Sequence, residues 1–502
     1  MFDALVIDRR DNVATALRAL EPGSATSNRG EIYVKTAIPR GHKVALADLS
    51  VGDKVVKYGE AVGVVTQELR SGEHVHVHNV GDLLSKAKGA SQRAKAGGVS
   101  QTLLSGVPSV GPWDIDELRK RTFMGYPRPD GQVGIRNYVL VISTVGRANV
   151  VAERIAAKED VPVITHQQGD SQLGTDMALT KKQLLGAAMN PNVGAVLFVS
   201  SGHELMQPSF FLDKMRGKPV AVVGIQSSGG TRSTIDEGVA AVQSLKKQVE
   251  GLERRPFPIS RLIVGTKCGG SDAFSGLTAN PATGVAADMV VDAGGAVLLS
   301  ETPGLFGSEP HLAARMRNQT DRDALSVALD LVWEESLRLG EPMSEGEMAP
   351  GNIEGGLTTL IEKSLGATTK AGTRPIEGFL PLADSIPGPG LWIMDTPGYD
   401  ILTISAQAAG GAHLILFTTG SGSPEGCAIA PVINICTNSQ TFNHMSEDMD
   451  INAGVILDAE VTLEEVGAKI FDLIIAVANG EEAASEFLGH GEFALTRIGS
   501  TL

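Results

Sequence analysis

The run Glu73-His74-Val75-His76-Val77-His78 puts imidazoles at alternate positions. Alternate residues of a strand share a face, so the run predicts three rings lining one side of an extended segment. With His42 it accounts for four of the ten histidines, and such a set suits a metal ion or a carboxylate. Gly41-His42-Lys43 and Lys57-Tyr58-Gly59-Glu60 read as nearby turns, also suited to holding a carboxylate. A second group of candidates stands where β-branched runs end: Arg147, His166, Asp170, His203, Glu204, Gly229-Gly230-Thr231-Arg232, Lys267, Cys268 and Asp272. His166, Asp170, His203, Glu204, Cys268 and Asp272 have the chemistry of metal ligands or acid–base groups. Gly229-Gly230-Thr231 opening a helix resembles an anion site, because free N–H groups point outward there. The plainer reading of many of these residues is helix capping and turn formation. Cys268 beside Lys267 sits in a setting that favours the thiolate. Cys427 and Cys436 have apolar neighbours and read as core.

The surrounding elements explain why the second group stands together. Runs at 138–144, 161–165, 193–200 and 219–226 alternate with amphipathic helical patterns, and a second series follows at 261–266, 296–301, 391–395, 413–419 and 431–437. Val- and Ile-rich runs alternating with helices predict parallel strands. In open parallel sheets ligands bind beyond the carboxyl ends of the strands, where these candidates lie. The first 81 residues read differently. A short helical pattern over 12–20, with Asp11 or Asn12 as N-cap, precedes short β-branched runs broken by turns. The expected fold class is α/β: a small β-rich domain over 1–81, a Gly/Ser/Lys-rich linker over 82–122, and two α/β lobes over 123–254 and 255–502, with mainly parallel sheets.

Composition narrows the function. Glycine supplies 59 of 502 residues, roughly 12% against an ordinary 7% or so, and much of the excess falls at strand exits. The net charge of −15 argues against nucleic acid or an anionic membrane as partner. No run of about 18 apolar residues predicts a membrane span. Three cysteines cannot build a disulfide framework, which suits a reducing cytoplasm. No phosphate-binding G-x-x-x-x-G-K-[ST] or dinucleotide G-x-G-x-x-G pattern follows a strand, so no nucleotide cofactor is expected.

Longer motifs resemble a known family. DNVATAL (11–17), IPRGHKVAL (38–46), VKYGEAVG (56–63) and GEHVHVHN (72–79) are similar to the SAF-type β-clip domain of the altronate/galactarate dehydratases. GYPRPDGQVGIRNY (125–138), CGGSDAFSGLTANPATG (268–284), SETP (300–303), GGLTTLIEKSLGA (355–367), MDTPGYD (394–400), FTTGSGSPEG (417–426) and EDMDINAG (447–454) resemble the family's core. The resemblance implies metal-assisted dehydration of an aldonate or aldarate to a 2-keto-3-deoxy acid, typically with Fe(II); Mn(II) or Mg(II) would also suit hard ligands. A sister branch splits sulfite from sulfolactate, and a non-catalytic sugar-acid-binding protein is a further alternative. Arg147, Asp170 and His203 stand where the family usually carries cysteine, and Ser227, Gly304 and Ser421 are also departures. The implied metal set is therefore His166, Asp170, His203, Glu204 and Cys268, with the HVHVH histidines as a rival. His42 or His76 is expected as acid/base, Lys43 as a carboxylate clamp, and Asp11 as a further residue reaching the substrate. Asn12, Tyr58, His74, Arg147, Gly229, Gly230, Thr231, Arg232, Lys267 and Asp272 complete the expected substrate site. The expected partner is a small anionic substrate, and homo-oligomerisation is compatible with the sequence.

Overall fold

A computed structural model describes residues 2–86, 111–215, 217–459 and 461–500. The N-terminal segment is β-rich. Its larger sheet runs Gly30–Val34, Gly23–Ser27, Ala4–Leu5, Val13–Ala16, Lys43–Ala45, His74–Val75, and a smaller one joins Lys54–Lys57, Glu60–Val65 and Val80–Gly81. The helix expected over 12–20 is instead the strand Val13–Ala16, buried at every position. Its apolar spacing fits a helix, but the segment lies between two strands, pairing Ala4 with Ala16 and Val13 with Ala45. Burial on both faces removes the alternation that marks a strand. Asn12 does not cap a helix. Its amide pairs with the Lys54 carbonyl and the Val56 N–H, stitching the two sheets together.

Two parallel sheets follow. The four-stranded one runs Val163–Ile164, Tyr138–Ser143, Val193–Ser200, Val220–Gly224. The seven-stranded one runs Ile376–Leu380, Gly390–Met394, Ala296–Leu299, Ile263–Gly269, Leu414–Thr419, Val432–Cys436, Ile451–Asn452. The sheets are not independent. Helix Gly174–Met189 of the first packs on helix Asp400–Ala409 of the second, and one core joins Leu184 and Phe198 to Ile404, Ile415 and Phe417. Gly186 permits this approach, since a Cβ there would lie 2.2 Å from the Ala409 carbonyl oxygen. Near the chain's end, Arg497 pairs with Asp176 at 2.8 Å and the Thr496 carbonyl accepts from Gln183.

The antiparallel pair Thr122–Pro127 and Arg255–Pro258 closes the junction between the sheets. Both ends of the expected linker are built into the fold. Asp82 accepts from the Leu360 N–H and Leu84 is buried, while Asp114 caps helix Ile115–Lys120 and Trp113 donates to Asp292. The rest of that stretch, 87–110, lies outside the described residues. The β-rich segment shares a core with the seven-stranded sheet, where Val55, Tyr58 and Val62 join Phe274, Leu277 and Val285. That docking sets His42 and its neighbours against the second sheet. No helix among the described residues is long and apolar enough to cross a membrane.

Candidate metal centre and substrate cleft

The short strand His74–Val75 pairs with Lys43–Ala45, Val44 opposite His74. The HVHVH run is not extended throughout, because it turns after Val75, where Asn79 accepts from the His76 N–H and donates to the His74 carbonyl. The turn converges the rings that a strand would only align. His42 lies 5.0 Å from His74 and 4.4 Å from His76, ring centre to ring centre. His42, His74 and His76 each offer a ligand atom within 4.8 Å of the others, and no other group of three His, Cys, Asp or Glu side chains does so among the described residues. His42 Nε2 faces the Glu354 carbonyl at 3.2 Å. A carbonyl only accepts, so that nitrogen carries the proton and Nδ1 turns a lone pair toward His74 Nε2, 2.9 Å away. His76 Nδ1 is buried without a hydrogen-bond partner. Burial pushes the His42 pKa down, that of His74 to about 4 and that of His76 to about 3. Three neutral imidazoles with an orphaned nitrogen fit a divalent ion and could bind one.

Behind this cluster Lys43 is fully buried, and Nζ donates to the Gly356 carbonyl (2.8 Å) and to both Glu362 oxygens (3.1 and 2.9 Å). Lys57 donates to the same carboxylate at 2.8 Å, and the Thr358 hydroxyl at 2.6 Å. Burial opposes ionisation of Glu362, but the two ammonium groups more than offset it and hold the carboxyl well below its usual range. The Lys43 pKa falls to about 8, mainly through burial. The expected carboxylate clamp is corrected: each Lys43 N–H already has an acceptor inside the protein. Asp11 is likewise structural, accepting from the Gly59 and Asp8 amides at 2.7 and 3.0 Å. Tyr58 is buried, with φ +61°, and its hydroxyl abuts Gly276 and Gly366.

At the first sheet the expected ligands are not assembled. Both His166 nitrogens are engaged, Nε2 with the Ser143 carbonyl (2.8 Å) and Nδ1 with the Gln168 N–H (3.0 Å). Glu204 accepts from the Thr144, Ser200 and Ser201 hydroxyls and the Gly202 amide. Burial would raise its pKa, yet these donors hold it at about 2. Asp170 pairs with Arg147 and accepts from the Leu205 amide. His203 is exposed and bonded to Gln226. Gly229 and Gly230 have positive φ and open helix Thr231–Val249, but Thr231 and Arg232 face solvent. Polar residues at a strand exit can satisfy one another as completely as they satisfy a ligand.

Cys268 belongs to the other sheet. Its thiol contacts Ser271 Oγ at 2.9 Å and accepts from Asn280 Nδ2 at 3.6 Å. Lys267 is buried and bound to Glu301, to Asp400 (2.8 Å) and to the Gly398 carbonyl (2.8 Å), so it too is not open to a substrate carboxylate. Lys370 holds the other Glu301 oxygen at 2.7 Å. Nearby Glu425 is half-buried; burial, with Asp400 and Glu492 adding to it, pushes its carboxyl up to about 7. Asp272 accepts from the Ser275 hydroxyl, the Phe274 and Ser275 amides, Thr437 and Asn438. It lines a cavity of about 390 Å³ with Arg40, Gly270, Gly355, Ser421, Asn438, Gln440, Thr441 and His444. The loop Glu354–Gly356 is shared: Gly355 lines the cavity, while its two neighbours meet His42 and Lys43.

Residues 2–83 match the altronate/galactarate dehydratase SAF domain, 125–250 the second domain of D-galactarate dehydratase/altronate hydrolase, and 259–501 the C-terminal domain of D-galactarate/altronate dehydratase. The chain is 34% identical to an altronate dehydratase of Bacillus subtilis (strain 168) over 516 aligned positions, covering 100% of both chains. The chain belongs to the altronate/galactarate dehydratase family. An Escherichia coli (strain K12) altronate dehydratase is 31% identical, with 98% of each chain covered. The beta subunit of a Chromohalobacter salexigens (2R)-sulfolactate sulfo-lyase is 37% identical over 76% of this chain and 99% of its own. In this family member, sequence reasoning placed Lys57 in a turn suited to a carboxylate and Glu301 in the SETP motif, and missed the roles of Glu362, Lys370 and Asp400. The GGLTTLIEKSLGA motif contained Glu362, but no local signal pairs it with lysines some 300 positions away.

Proposed function

We propose that the protein is a hydro-lyase that removes water from a sugar acid, an aldonate or aldarate such as altronate or galactarate, to give the 2-keto-3-deoxy acid. The observation that carries this reading is the buried triad His42, His74 and His76, with an orphaned nitrogen, beside a polar cavity at the carboxyl end of a parallel sheet. The triad would hold a divalent ion, Fe(II) first, with Mn(II) and Mg(II) as substitutes. Such an ion supplies Lewis-acid polarisation of the substrate's carboxylate, which acidifies the C2 proton. The Glu354 carbonyl fixes the His42 tautomer, and the Lys43–Glu362–Lys57 network holds the strand that follows His42. Ser421 and Gln440 line the cavity and offer hydrogen bonds to substrate hydroxyls. His42 and His76 then serve as ligands rather than as acid and base. The three buried free thiols suit a cytoplasmic setting.

The test is turnover of galactarate and altronate by protein loaded anaerobically with each metal, read as 2-keto-3-deoxy acid. Chelation is expected to abolish turnover, and Fe(II) to restore it. Full activity in metal-free protein would refute the metal role. A second reading is sulfite elimination from a sulfonated hydroxy acid, favoured by the 37% identity to the sulfo-lyase subunit. Sulfite release from sulfolactate without dehydration of either sugar acid would replace the first reading with it.

A further inference from the structure

Arg40 lies in the turn between Ile38 and His42 and is half-buried. Its Nε donates to the Leu17 carbonyl at 3.1 Å. The guanidinium lies over the Phe274 ring, 4.4 Å from its centre, a cation–π contact that holds the plane of the fork. Gly41, with φ +84°, brings the turn close enough that a Cβ there would lie 3.1 Å from the Gly355 oxygen. Neither terminal amino group of Arg40 has a hydrogen-bond or ion-pair partner among the described residues, yet the side chain lines the cavity beside the triad. The lining has one carboxylate, Asp272, whose oxygens are taken by Ser275, Thr437, Asn438 and main-chain amides. His444 is the other lining side chain able to carry positive charge. A fixed guanidinium with two open donor pairs is shaped for bidentate binding of a carboxylate or sulfonate.

We propose that Arg40 holds a second anionic group of the substrate, opposite the carboxylate next to the reacting carbon, so that the cleft takes dianionic acids in preference to monoanionic ones. This rests on the dehydratase reading above and narrows it from sugar acids in general to hexarates over hexonates.

The experiment compares the Fe(II)-loaded full chain with Arg40→Met and Arg40→Lys. It reads kcat/KM for galactarate and altronate, and calorimetric binding of two unreactive probes, adipate and hexanoate. Wild type is expected to favour galactarate over altronate. In Arg40→Met that preference is expected to fall about 100-fold, with partial recovery in Arg40→Lys, which keeps the charge without the fork. Adipate is expected to bind about 10-fold tighter than hexanoate in wild type, and equally in Arg40→Met. Turnover with an unchanged preference, and probes that bind alike in wild type, would overturn the subsite and leave the dehydratase reading intact. Arg40-dependent adipate binding without any dehydration would do the reverse.

Discussion

The carboxyl ends of the two parallel sheets carry similar residue types and have opposite characters. At the first, Glu204, His166 and the Arg147–Asp170 pair find their partners among neighbouring hydroxyls, amides and carbonyls. At the second, the docked β-rich segment brings histidines with an orphaned nitrogen and an arginine with open donors to a cavity. Polar residues beside glycines at a strand exit are therefore not diagnostic by themselves. What separates the two ends is whether the protein already uses their hydrogen-bonding capacity.

The largest effect that would sharpen this contrast is on turnover. His76→Ala is expected to lower kcat/KM by at least about 1000-fold while thermal unfolding shifts little, since His76 Nδ1 has no protein partner to lose. His166→Ala is expected to do the opposite, costing stability by freeing the Ser143 carbonyl and the Gln168 amide. A reversal of that pattern in paired assays of activity and melting would break the comparison. Glu362→Gln comes next. It weakens the carboxylate between two buried ammonium groups and should cost about 3–5 kcal/mol of unfolding free energy, measured by denaturant titration.

A smaller effect concerns pH. The Glu204 pKa is depressed from 4.5 to about 2, so its contribution is fully present above pH 4.5 and disappears as pH falls toward 2. Wild-type melting temperature should drop more steeply through that window than that of Glu204→Gln. Equal slopes would show that the hydroxyl and amide ring does not favour the ionised form. The smallest effect is at Arg147, whose side chain is 52% exposed. Arg147→Met should change stability by less than about 1 kcal/mol and leave kcat/KM unaltered; a large fall in turnover would return the first sheet to the catalytic machinery.

Local pattern made much of the fold legible. The runs at 138–144, 193–200 and 413–419 announced strands because both faces of a parallel sheet are buried and favour unbroken Val and Ile. The same rule failed at Val13–Ala16, where small residues buried on two faces mimic a helix. It also failed at Arg255–Pro258, whose two prolines hide a strand that pairs some 130 positions upstream. The histidine cluster was half legible. The spacing marked three rings, but their convergence on His42 depends on a turn after Val75 and on a strand partner 30 residues earlier.

The sequence by itself determined the family, the parallel architecture and the residue types available for chemistry, because these follow from local periodicity and from motifs read in order. Tertiary structure alone decided which of those residues remain open to a ligand. Lys43 and Lys267 looked like anion clamps until burial paired them with Glu362 and Glu301, and Arg40 was one residue of the IPRGHKVAL motif until its unpaired fork proved to line a cavity. The reason is physical: a polar group's role depends on whether its hydrogen bonds are already made, and partners distant in sequence make them.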